Sequence, residues 1–197
     1  MNIVQIGCND CSDHLLEYVR DHHSEINNLI LVDPNKTRIL NCYKVYESFD
    51  DINLHIVDKA INAKDEQYLT LYYSPLETNG HHTSTKKQHL LDHHHRPENI
   101  VAEQFPSVTF NNLLDHYSIN IVDRLYVDTE GYDIDILRSI DYSKFKIKYI
   151  QFESTHSDGA FSGRTKKLAN FMNELRELGY SFMNSPFGEV IAVLSKL

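Results

Sequence analysis

Short runs of consecutive apolar residues alternate along the first third of the chain with stretches of helical spacing. The runs at 2–6, 29–32 and 54–57 are too short for buried helices, and they consist largely of Ile, Leu and Val. Apolar residues at 15–19 and the segment 36–43 are typical of helices between these runs. Strands buried on both faces have this continuous apolar character, so the pattern predicts an α/β fold with a parallel sheet.

The same alternation returns in the second half of the chain. Residues 124–127 and 149–152 predict a fourth and a fifth strand, with a helix over 132–140 between them. The apolar spacing from Leu168 to Leu178 predicts a long amphipathic helix that ends at Gly179. Two further strands, at 180–183 and 190–194, then form a hairpin. No linker or internal repeat interrupts residues 1–197, which we interpret as a single domain.

Residues 74–100 depart from this regularity. They follow an alternating segment at 67–73 that predicts a half-exposed strand, and they are rich in histidine. We expect a long variable loop with one helical turn at about 87–93. Loops longer than about 12–15 residues in a compact domain are usually functional, so this segment is the natural lid.

Charge and cysteine content narrow the class of protein. The net charge of −9 over 197 residues argues against nucleic acid as the main partner, because that binding depends on Lys and Arg. The sequence has no apolar stretch of membrane-spanning length and no secretory pattern at its start, so we expect no membrane span and a cytoplasmic location. Cys8 and Cys11 form a C-x-x-C pair, which leaves a redox pair or half of a metal site as alternatives.

Polar residues follow the predicted strands where a ligand would bind. Gly7, Asp33, Asp58, Asp128 and Glu153 come directly after successive strands. In open parallel sheets ligands bind at the carboxyl ends of the strands. Asp33, after the second strand, is placed to accept hydrogen bonds from two ribose hydroxyls, and its alternative role is to cap the next helix.

The loop from Gly7 to Ser12 lacks the glycines of a dinucleotide-binding loop, G-x-G-x-x-G. It also carries Asp10, with Asp13 close behind, and these acids would repel a pyrophosphate. A cationic ligand without phosphate fits this loop better than NAD or FAD.

The run Leu125-Tyr126-Val127-Asp128-Thr129-Glu130-Gly131, with its continuation to Arg138, resembles the "K-I-D-V-E-G-x-E-x-x-V-L" signature of the FkbM family of methyltransferases. Segments 4–9, 31–35 and 57–61 resemble that family's "D-V-G-A-N", "E-P-N/D-P" and "N-x-A-L/V" motifs. The chain departs from the family where Cys8 replaces alanine and Cys11 replaces glycine.

The resemblance implies a Rossmann-like class I methyltransferase fold. Its mostly parallel seven-stranded sheet has the strand order 3-2-1-4-5-7-6, with the last strand antiparallel and helices on both faces. It also implies S-adenosylmethionine as the cofactor and O-methylation of a hydroxyl on a sugar, glycan or related small molecule. We expect the cofactor to be bound by Gly7, Cys8, Asn9, Asp13, Asp33, Pro34, Asp58, Lys59, Ala60 and Asp128.

Methyl transfer to a hydroxyl needs alignment and removal of a proton. Asp128 is the first candidate for a catalytic base or substrate orienter, followed by Glu130, Glu153 and His156. The structural alternatives are a helix cap at Asp128 and a solvated loop histidine at His156. In a further alternative, Asp128, Glu153 and His156 hold Mg²⁺.

The histidines of the 74–100 loop leave two interpretations open. His89 and His93 would share one helix face and could bind zinc, or the loop could be a polar lid that contacts a carbohydrate. Two rival functions also stay open: a non-catalytic Rossmann-like module that has lost cofactor affinity, and a dinucleotide oxidoreductase.

Overall fold

Twelve strands occur in the computed structural model, which describes residues 1–77, 82–156, 165–184 and 188–195. In chain order they are β1 (Asn2–Ile6), β2 (Asn28–Val32), β3 (Asn53–Val57), β4 (Ala60–Ile61), β5 (Tyr68–Tyr73), β6 (Val101–Val108), β7 (Ile121–Val122), β8 (Arg124–Val127), β9 (Lys146–Ile147), β10 (Tyr149–Glu153), β11 (Tyr180–Asn184) and β12 (Glu189–Leu194). Seven of these described strands form the main sheet.

The order of the main sheet is β11-β12-β10-β8-β1-β2-β3. All neighbours from β3 to β10 are parallel, whereas β12 is antiparallel to both β10 and β11. Numbered within the sheet, this is the predicted order 3-2-1-4-5-7-6 with the last strand antiparallel. The expected class of fold is therefore confirmed.

Helices cover both faces of the sheet. They are α1 (His14–His22), α2 (Lys36–Ile39), α3 (Asn41–Tyr46), α4 (Lys87–Asp92), α5 (Phe110–His116), α6 (Asp133–Arg138) and α7 (Lys166–Glu177). Because side chains alternate across a strand, Val4 and Ile6 of β1 pack in the larger core with α5, α6 and α7, whereas Ile3 packs in the smaller core with α1 and α3. Both faces of β1 are thus buried, as its continuous apolar run predicts.

Short polar side chains start several helices. Asp13 accepts a hydrogen bond from the amide of Leu15 at the start of α1, and Thr109 and Thr165 cap α5 and α7 in the same way. At the other end of α7, Gly179 has the left-handed φ of 96° that a helix C-cap favours.

The segment after β3 contains more structure than the sequence predicts. A second sheet has the order β4-β6-β5, and a small pair joins β7 to β9. The strand β6 was not predicted, because it is mostly exposed, contains Pro106, and has apolar residues that form neither a continuous run nor a regular alternation.

The expectation of a long loop over 74–100 needs partial correction. The predicted helical turn is present as α4, and a 3₁₀ turn follows at Pro97–Asn99. Positions 78–81 of that loop, and 185–187 of the predicted hairpin turn, lie outside the described residues. Among the described residues no helix is long and apolar enough to cross a membrane.

The cysteines do not pair as the C-x-x-C spacing suggests. A disulfide joins Cys11 to Cys42, with Cα atoms 5.4 Å apart, and Cys8 is a buried thiol. The bond links the loop after β1 to α3. It therefore acts across two elements, which spacing along the chain could not reveal.

The carboxyl end of β1 lies against the backbone of the residue that follows β8. Gly7 has φ +80°, and a Cβ atom built there would lie 1.7 Å from the carbonyl oxygen of Asp128. The amide of Gly7 donates to Val32 O at 2.8 Å, and the amide of Asp128 donates to Ile6 O at 3.0 Å. Only glycine fits where these three strand ends meet.

Gly7→Ala should therefore destabilise the protein. Forcing extra atoms into a packed position costs about 1–3 kcal/mol, and the left-handed backbone adds about 1–2 kcal/mol for a residue with a Cβ atom. Urea unfolding would measure the loss. Gly179→Ala is the matched control, since φ is also positive there but the nearest atom is 3.7 Å from the added Cβ. Equal losses in the two variants would contradict the clash.

Candidate functional site

A cavity of about 820 Å³ opens at the carboxyl ends of β1, β2 and β8. Its volume is in the range of small-molecule sites. Its wall includes residues from the strand ends, from the loops that follow β2 and β3, and from β5 and β6; among them are Gly7, Asn9, Asp33, Pro34, Arg38, Lys59, Ala60, Tyr73, Phe105, Asp128, Glu130 and Tyr132. The site thus lies at the sheet edge that the acidic positions predict.

Asp33 links the loop after β1 to the loop after β2 through hydrogen bonds. One carboxylate oxygen accepts from the amide of Asn9 at 2.9 Å, and the other accepts from the amide of Asn35 at 2.8 Å. Burial raises the pKa of Asp33, and these two amide contacts oppose that shift. Because a carboxylate can accept about four hydrogen bonds, Asp33 keeps acceptor capacity for a ligand.

Three of the residues expected to bind cofactor lie outside the cavity wall. Cys8 is buried in the smaller core, where burial raises its pKa well above the ordinary value. Asp13 caps α1 and accepts from the side-chain amide of Gln5. Asp58 is exposed and lies 3.3 Å from the ammonium group of Lys36. The wall does include the other seven.

The turn after β8 has an unusual backbone. Glu130 has φ 52°, in the left-handed region that costs a residue with a Cβ atom roughly 1–3 kcal/mol, and Gly131 has φ 103°. Two side chains from the segment before α4 hold this turn: Ser84 Oγ donates to Glu130 O at 2.6 Å, and Lys86 Nζ donates to Gly131 O at 3.1 Å. Hydrogen bonds from the histidine-rich segment therefore hold the backbone of this turn in place.

Glu130 lines the cavity and also faces a group of histidines. Its Oε2 lies 2.8 Å from Nε2 of His89 and 4.0 Å from Nδ1 of His156. Burial, with the charges of Asp128 and Glu77 adding to it, raises the pKa of Glu130 to about 8. This carboxyl therefore lies between the cavity and the histidines.

Glu153 and His156 lie together on the histidine side, and neither belongs to the cavity wall. Glu153 Oε1 is 2.7 Å from Nδ1 of His156. Burial raises the pKa of Glu153 to about 8, with Glu130 as the next cause, and burial lowers the pKa of His156. Of the four predicted catalytic residues, the cavity thus contains Asp128 and Glu130.

The set expected to hold Mg²⁺ is not assembled among the described residues. Glu153 and His156 converge with Glu130, whose oxygen is within 4.8 Å of their ligand atoms, and Asp128 is not part of that group. The side chain of Asp128 is exposed at the cavity, two residues before the turn.

Several site residues were not predicted from the sequence. Arg38 lies 3.3 Å from Asn9 Oδ1 and 3.6 Å from a carboxylate oxygen of Asp10, whereas Ser84 and Lys86 hold the turn after β8. Arg38 follows Asp33 by five residues, on the first turn of the next helix, a position that could have pointed to it. Ser84 and Lys86 are distant in sequence from the turn they hold, and no local pattern marks them.

The family comparison decides how this arrangement is classified. The family described as Methyltransferase FkbM domain matches residues 3–182. The chain belongs to the FkbM methyltransferase family. Residues 125–138, which carry the signature, lie within the matched region and form the end of β8, the turn and α6. No curated protein matches the chain.

Solved structures support the fold. A methyltransferase FkbM from Methylobacillus flagellatus KT has a TM-score of 0.54 at 12% identity, over 98% of this chain and 43% of that one. The fibrillarin pre-rRNA processing protein of Methanococcus jannaschii has a TM-score of 0.50 at 9% identity, over 100% of this chain and 67% of that one. The CMeT domain of the citrinin polyketide synthase has a TM-score of 0.50 at 9% identity, over 100% of this chain and 47% of that one.

These likenesses show a class I methyltransferase fold. At such low identity they carry nothing about substrates. This FkbM family member also spans less than half of the Methylobacillus protein.

The residues of the cavity fit S-adenosylmethionine. Gly7 lines the cavity at the end of β1, and Asp33 offers carboxylate oxygens at the position typical of ribose binding. Asp128 adds a carboxylate to the wall, which suits a sulfonium cation.

A buried acid supports the turn from behind. Asp133, at the start of α6, accepts from the amide of Thr129 at 3.1 Å, and its other oxygen has no hydrogen-bond partner among the described residues. Burial, followed by the charge of Asp128, raises the pKa of Asp133 well above its ordinary value. The folded protein therefore holds this proton more tightly than the unfolded chain does.

The stability of the wild-type protein should fall as pH rises through the raised pKa of Asp133. The bound proton adds fully to the free energy of unfolding below the ordinary carboxyl pKa. Each tenfold difference in proton affinity between the folded and the unfolded protein changes that free energy by about 1.4 kcal/mol. Asp133→Asn keeps the acceptor oxygen and cannot ionise. Its free energy of unfolding should therefore rise relative to wild type between roughly pH 5 and 8, above the ordinary carboxyl pKa.

Urea unfolding at several pH values checks this expectation. Asp133→Ala is the companion variant, since it removes the acceptor of the Thr129 amide and should cost about 1–3 kcal/mol. If the free energy of unfolding changes with pH in the same way in the wild type and in Asp133→Asn, the Asp133 carboxyl is not the cause of the pH dependence.

Proposed function

We propose that this protein is an S-adenosylmethionine-dependent O-methyltransferase that acts on a hydroxyl of a sugar, a glycan or a related small molecule. The observation that carries the proposal is the cavity at the ends of β1, β2 and β8, where Gly7, Asp33 and Asp128 line one wall. Membership of the FkbM methyltransferase family supports the same activity.

The residues that would hold the cofactor are those of the cavity wall. Asp33 would accept from the ribose hydroxyls, and Asn9, whose amide it already binds, would be held beside it. Pro34, Lys59 and Ala60 would line the neighbouring wall. When bound, S-adenosylmethionine supplies an electrophilic methyl group on a sulfonium.

Asp128 is the proposed base or orienter of the acceptor. It is an exposed carboxylate on the cavity wall, at the end of the strand beside Gly7. It would accept the proton of the acceptor hydroxyl as the oxygen–methyl bond forms and the bond from that methyl group to sulfur breaks, with S-adenosylhomocysteine as the leaving group. A base in that position typically contributes a factor of about 10² to 10⁴.

Glu130 would assist from the same wall. Glu153 and His156 would act on Glu130 through the contacts behind it, not on the acceptor directly.

The character of the acceptor follows from charge and wall composition. A net charge of −9 does not favour a polyanion, and the cavity is enclosed in part by β5 and β6, where Tyr73, Phe105, Gln104 and Glu103 lie. Aromatic faces together with amide and carboxylate groups are suited to a small polyhydroxylated molecule. This supports a sugar or glycan acceptor over nucleic acid.

Asp33→Asn should weaken the binding of S-adenosylhomocysteine at least about tenfold, since an amide presents one acceptor oxygen in place of two. Isothermal titration calorimetry measures the affinity, and a thermal shift of the wild type gives a second readout. Asp51→Asn is the matched control, because Asp51 is exposed and contacts His23 away from the cavity. Equal affinity in Asp33→Asn and wild type would remove Asp33 from the site.

If the wild type itself does not bind S-adenosylhomocysteine or S-adenosylmethionine at millimolar concentration, the enzyme hypothesis fails. The chain would then be a non-catalytic Rossmann-like module. Stabilisation by NADH alone would point instead to an oxidoreductase.

Asp128→Asn should lower the rate of methyl transfer by about 10² to 10⁴, with cofactor affinity changed much less. A panel of sugars, phenols and thiols incubated with radiolabelled S-adenosylmethionine measures transfer and identifies the acceptor atom. Methylation of thiols or amines with no hydroxyl product would refute the O-methyl assignment. An undiminished rate in Asp128→Asn would refute the role of this base.

A further inference from the structure

Histidine and carboxylate side chains converge around Glu130, on the side of this residue that faces away from the cavity. We define the imidazole cluster as His89, His93, His156 and Glu130. The ring centroids of its three histidines lie 4.6 to 5.1 Å apart. The methyl-transfer scheme uses none of these rings directly.

We propose that the imidazole cluster binds one divalent cation of the zinc class, with His89, His93 and Glu130 as ligands and His156 as the fourth.

Distances between the ligand atoms support this site. One ligand atom each from His89, His93 and Glu130 lie within 4.8 Å of one another, and Glu130, Glu153 and His156 form a second such group that shares the same carboxylate. Zinc bonds of about 2.0–2.2 Å place ligand atoms roughly 3–4 Å apart. The groups are therefore within about 1 Å of the spacing that an ion would impose.

The helix α4 supplies two of these ligands by its geometry. His89 lies within α4 and His93 is its C-cap residue, so the pair has the i, i+4 spacing that puts two side chains on one helix face. The side chain of His89 is only 1% exposed. A rigid element thus presents two imidazoles to Glu130.

One contact in the cluster is short but is not a hydrogen bond. His89 Nε2 lies 2.8 Å from Glu130 Oε2, yet among the described residues it has no partner in hydrogen-bond geometry. A buried polar atom left in this state destabilises the folded protein. Atoms that share a cation are directed at the cation and not at each other, which accounts for the contact.

The backbone of Glu130 is consistent with such a role. Its left-handed φ of 52° carries strain, and the contacts of Ser84 and Lys86 hold the turn in that conformation. Strain that surrounding contacts maintain is concentrated at functional positions. Here it places one carboxylate between the cavity and the three imidazoles.

Glu153 supports the cluster from outside. Its carboxylate contacts Nδ1 of His156 at 2.7 Å, and the same nitrogen lies 4.0 Å from Glu130 Oε2, so this contact orients the ring beside Glu130. Histidine ligands of metals usually have such a carboxylate on the second nitrogen. Glu153 is thus a positioning residue for the fourth ligand.

The ligand types select the class of ion. Imidazole suits zinc, copper, nickel and iron, whereas Mg²⁺ prefers oxygen ligands in octahedral geometry. The site therefore differs in composition from the Mg²⁺ site that the sequence left open, although the two share His156. A hydroxyl bound to such an ion would be acidified; that catalytic role rests on the proposed function, whereas the binding of the ion does not.

Metal titration of the full chain, without an affinity tag and after treatment with a chelator, tests the site in the absence of cofactor and acceptor. We expect one Zn²⁺ per chain by isothermal titration calorimetry, and Co²⁺ absorption bands typical of a four-coordinate nitrogen and oxygen site. Binding of Mg²⁺ should be at least about tenfold weaker. Failure here leaves the S-adenosylhomocysteine result unaffected, so the two proposals fail separately.

His93→Ala and Glu130→Gln should each weaken Zn²⁺ binding at least about tenfold and abolish the Co²⁺ bands. These positions are less buried than His89, and circular dichroism checks that the variants fold. His116→Ala, an exposed histidine on α5, is the matched control and should bind like the wild type.

Three outcomes would overturn the proposal: no stoichiometric Zn²⁺ binding, unchanged affinity in His93→Ala, or loss of binding in His95→Ala with His93→Ala unaffected. The last result would place the ion at the neighbouring group of Glu77, His82 and His95.

Discussion

The close approach of Gly7 to the carbonyl oxygen of Asp128 sets the geometry on which the site depends. It brings the end of β1 against the residue that follows β8, in a space that no side chain could enter. The amide of Gly7 is bonded at the same time to the end of β2. Three strand ends are therefore locked together, and the loops that leave them surround one cavity.

Two segments next to this junction, the loop after β2 and the turn after β8, carry different functional groups. The loop after β2 carries Asp33, whose two carboxylate oxygens tie the first and second loops together and leave acceptor capacity for a ribose. The turn after β8 carries Asp128 and Glu130. Both line the cavity, but the strained backbone at Glu130 also places its carboxylate against His89. Glu130 thus lies between the cavity and the imidazoles.

The segment that the sequence predicts as a polar loop supports the turn after β8 and supplies histidines. Ser84 and Lys86 bind the backbone of the turn after β8, and α4 supplies two of the histidines. The long segment between β3 and β8 therefore holds Glu130 in its conformation. Its second sheet contributes residues of β5 and β6 to the cavity wall.

The strands β1, β2 and β8 were predictable because each is buried on both faces. Val4 and Ile6 belong to one core and Ile3 to the other, so the apolar run of β1 is continuous and distinct from any helix. The order of the strands came from the family signature, and the observed order agrees with it. The strand β6 escaped prediction because it is mostly exposed and its apolar residues form neither a continuous run nor a regular alternation.

Apolar periodicity and the positions of Gly7, Asp33 and Asp128 by themselves determined the α/β fold and the sheet edge that forms the site. Tertiary structure alone decided that Cys42 and not Cys8 bonds to Cys11, that Glu130 and not Asp128 joins Glu153 and His156, and that His89 meets that carboxylate. The physical reason is the separation along the sequence. The burial of a strand shows in the apolar residues of the strand itself, whereas a contact between side chains roughly 30 to 40 positions apart depends on how the intervening backbone turns.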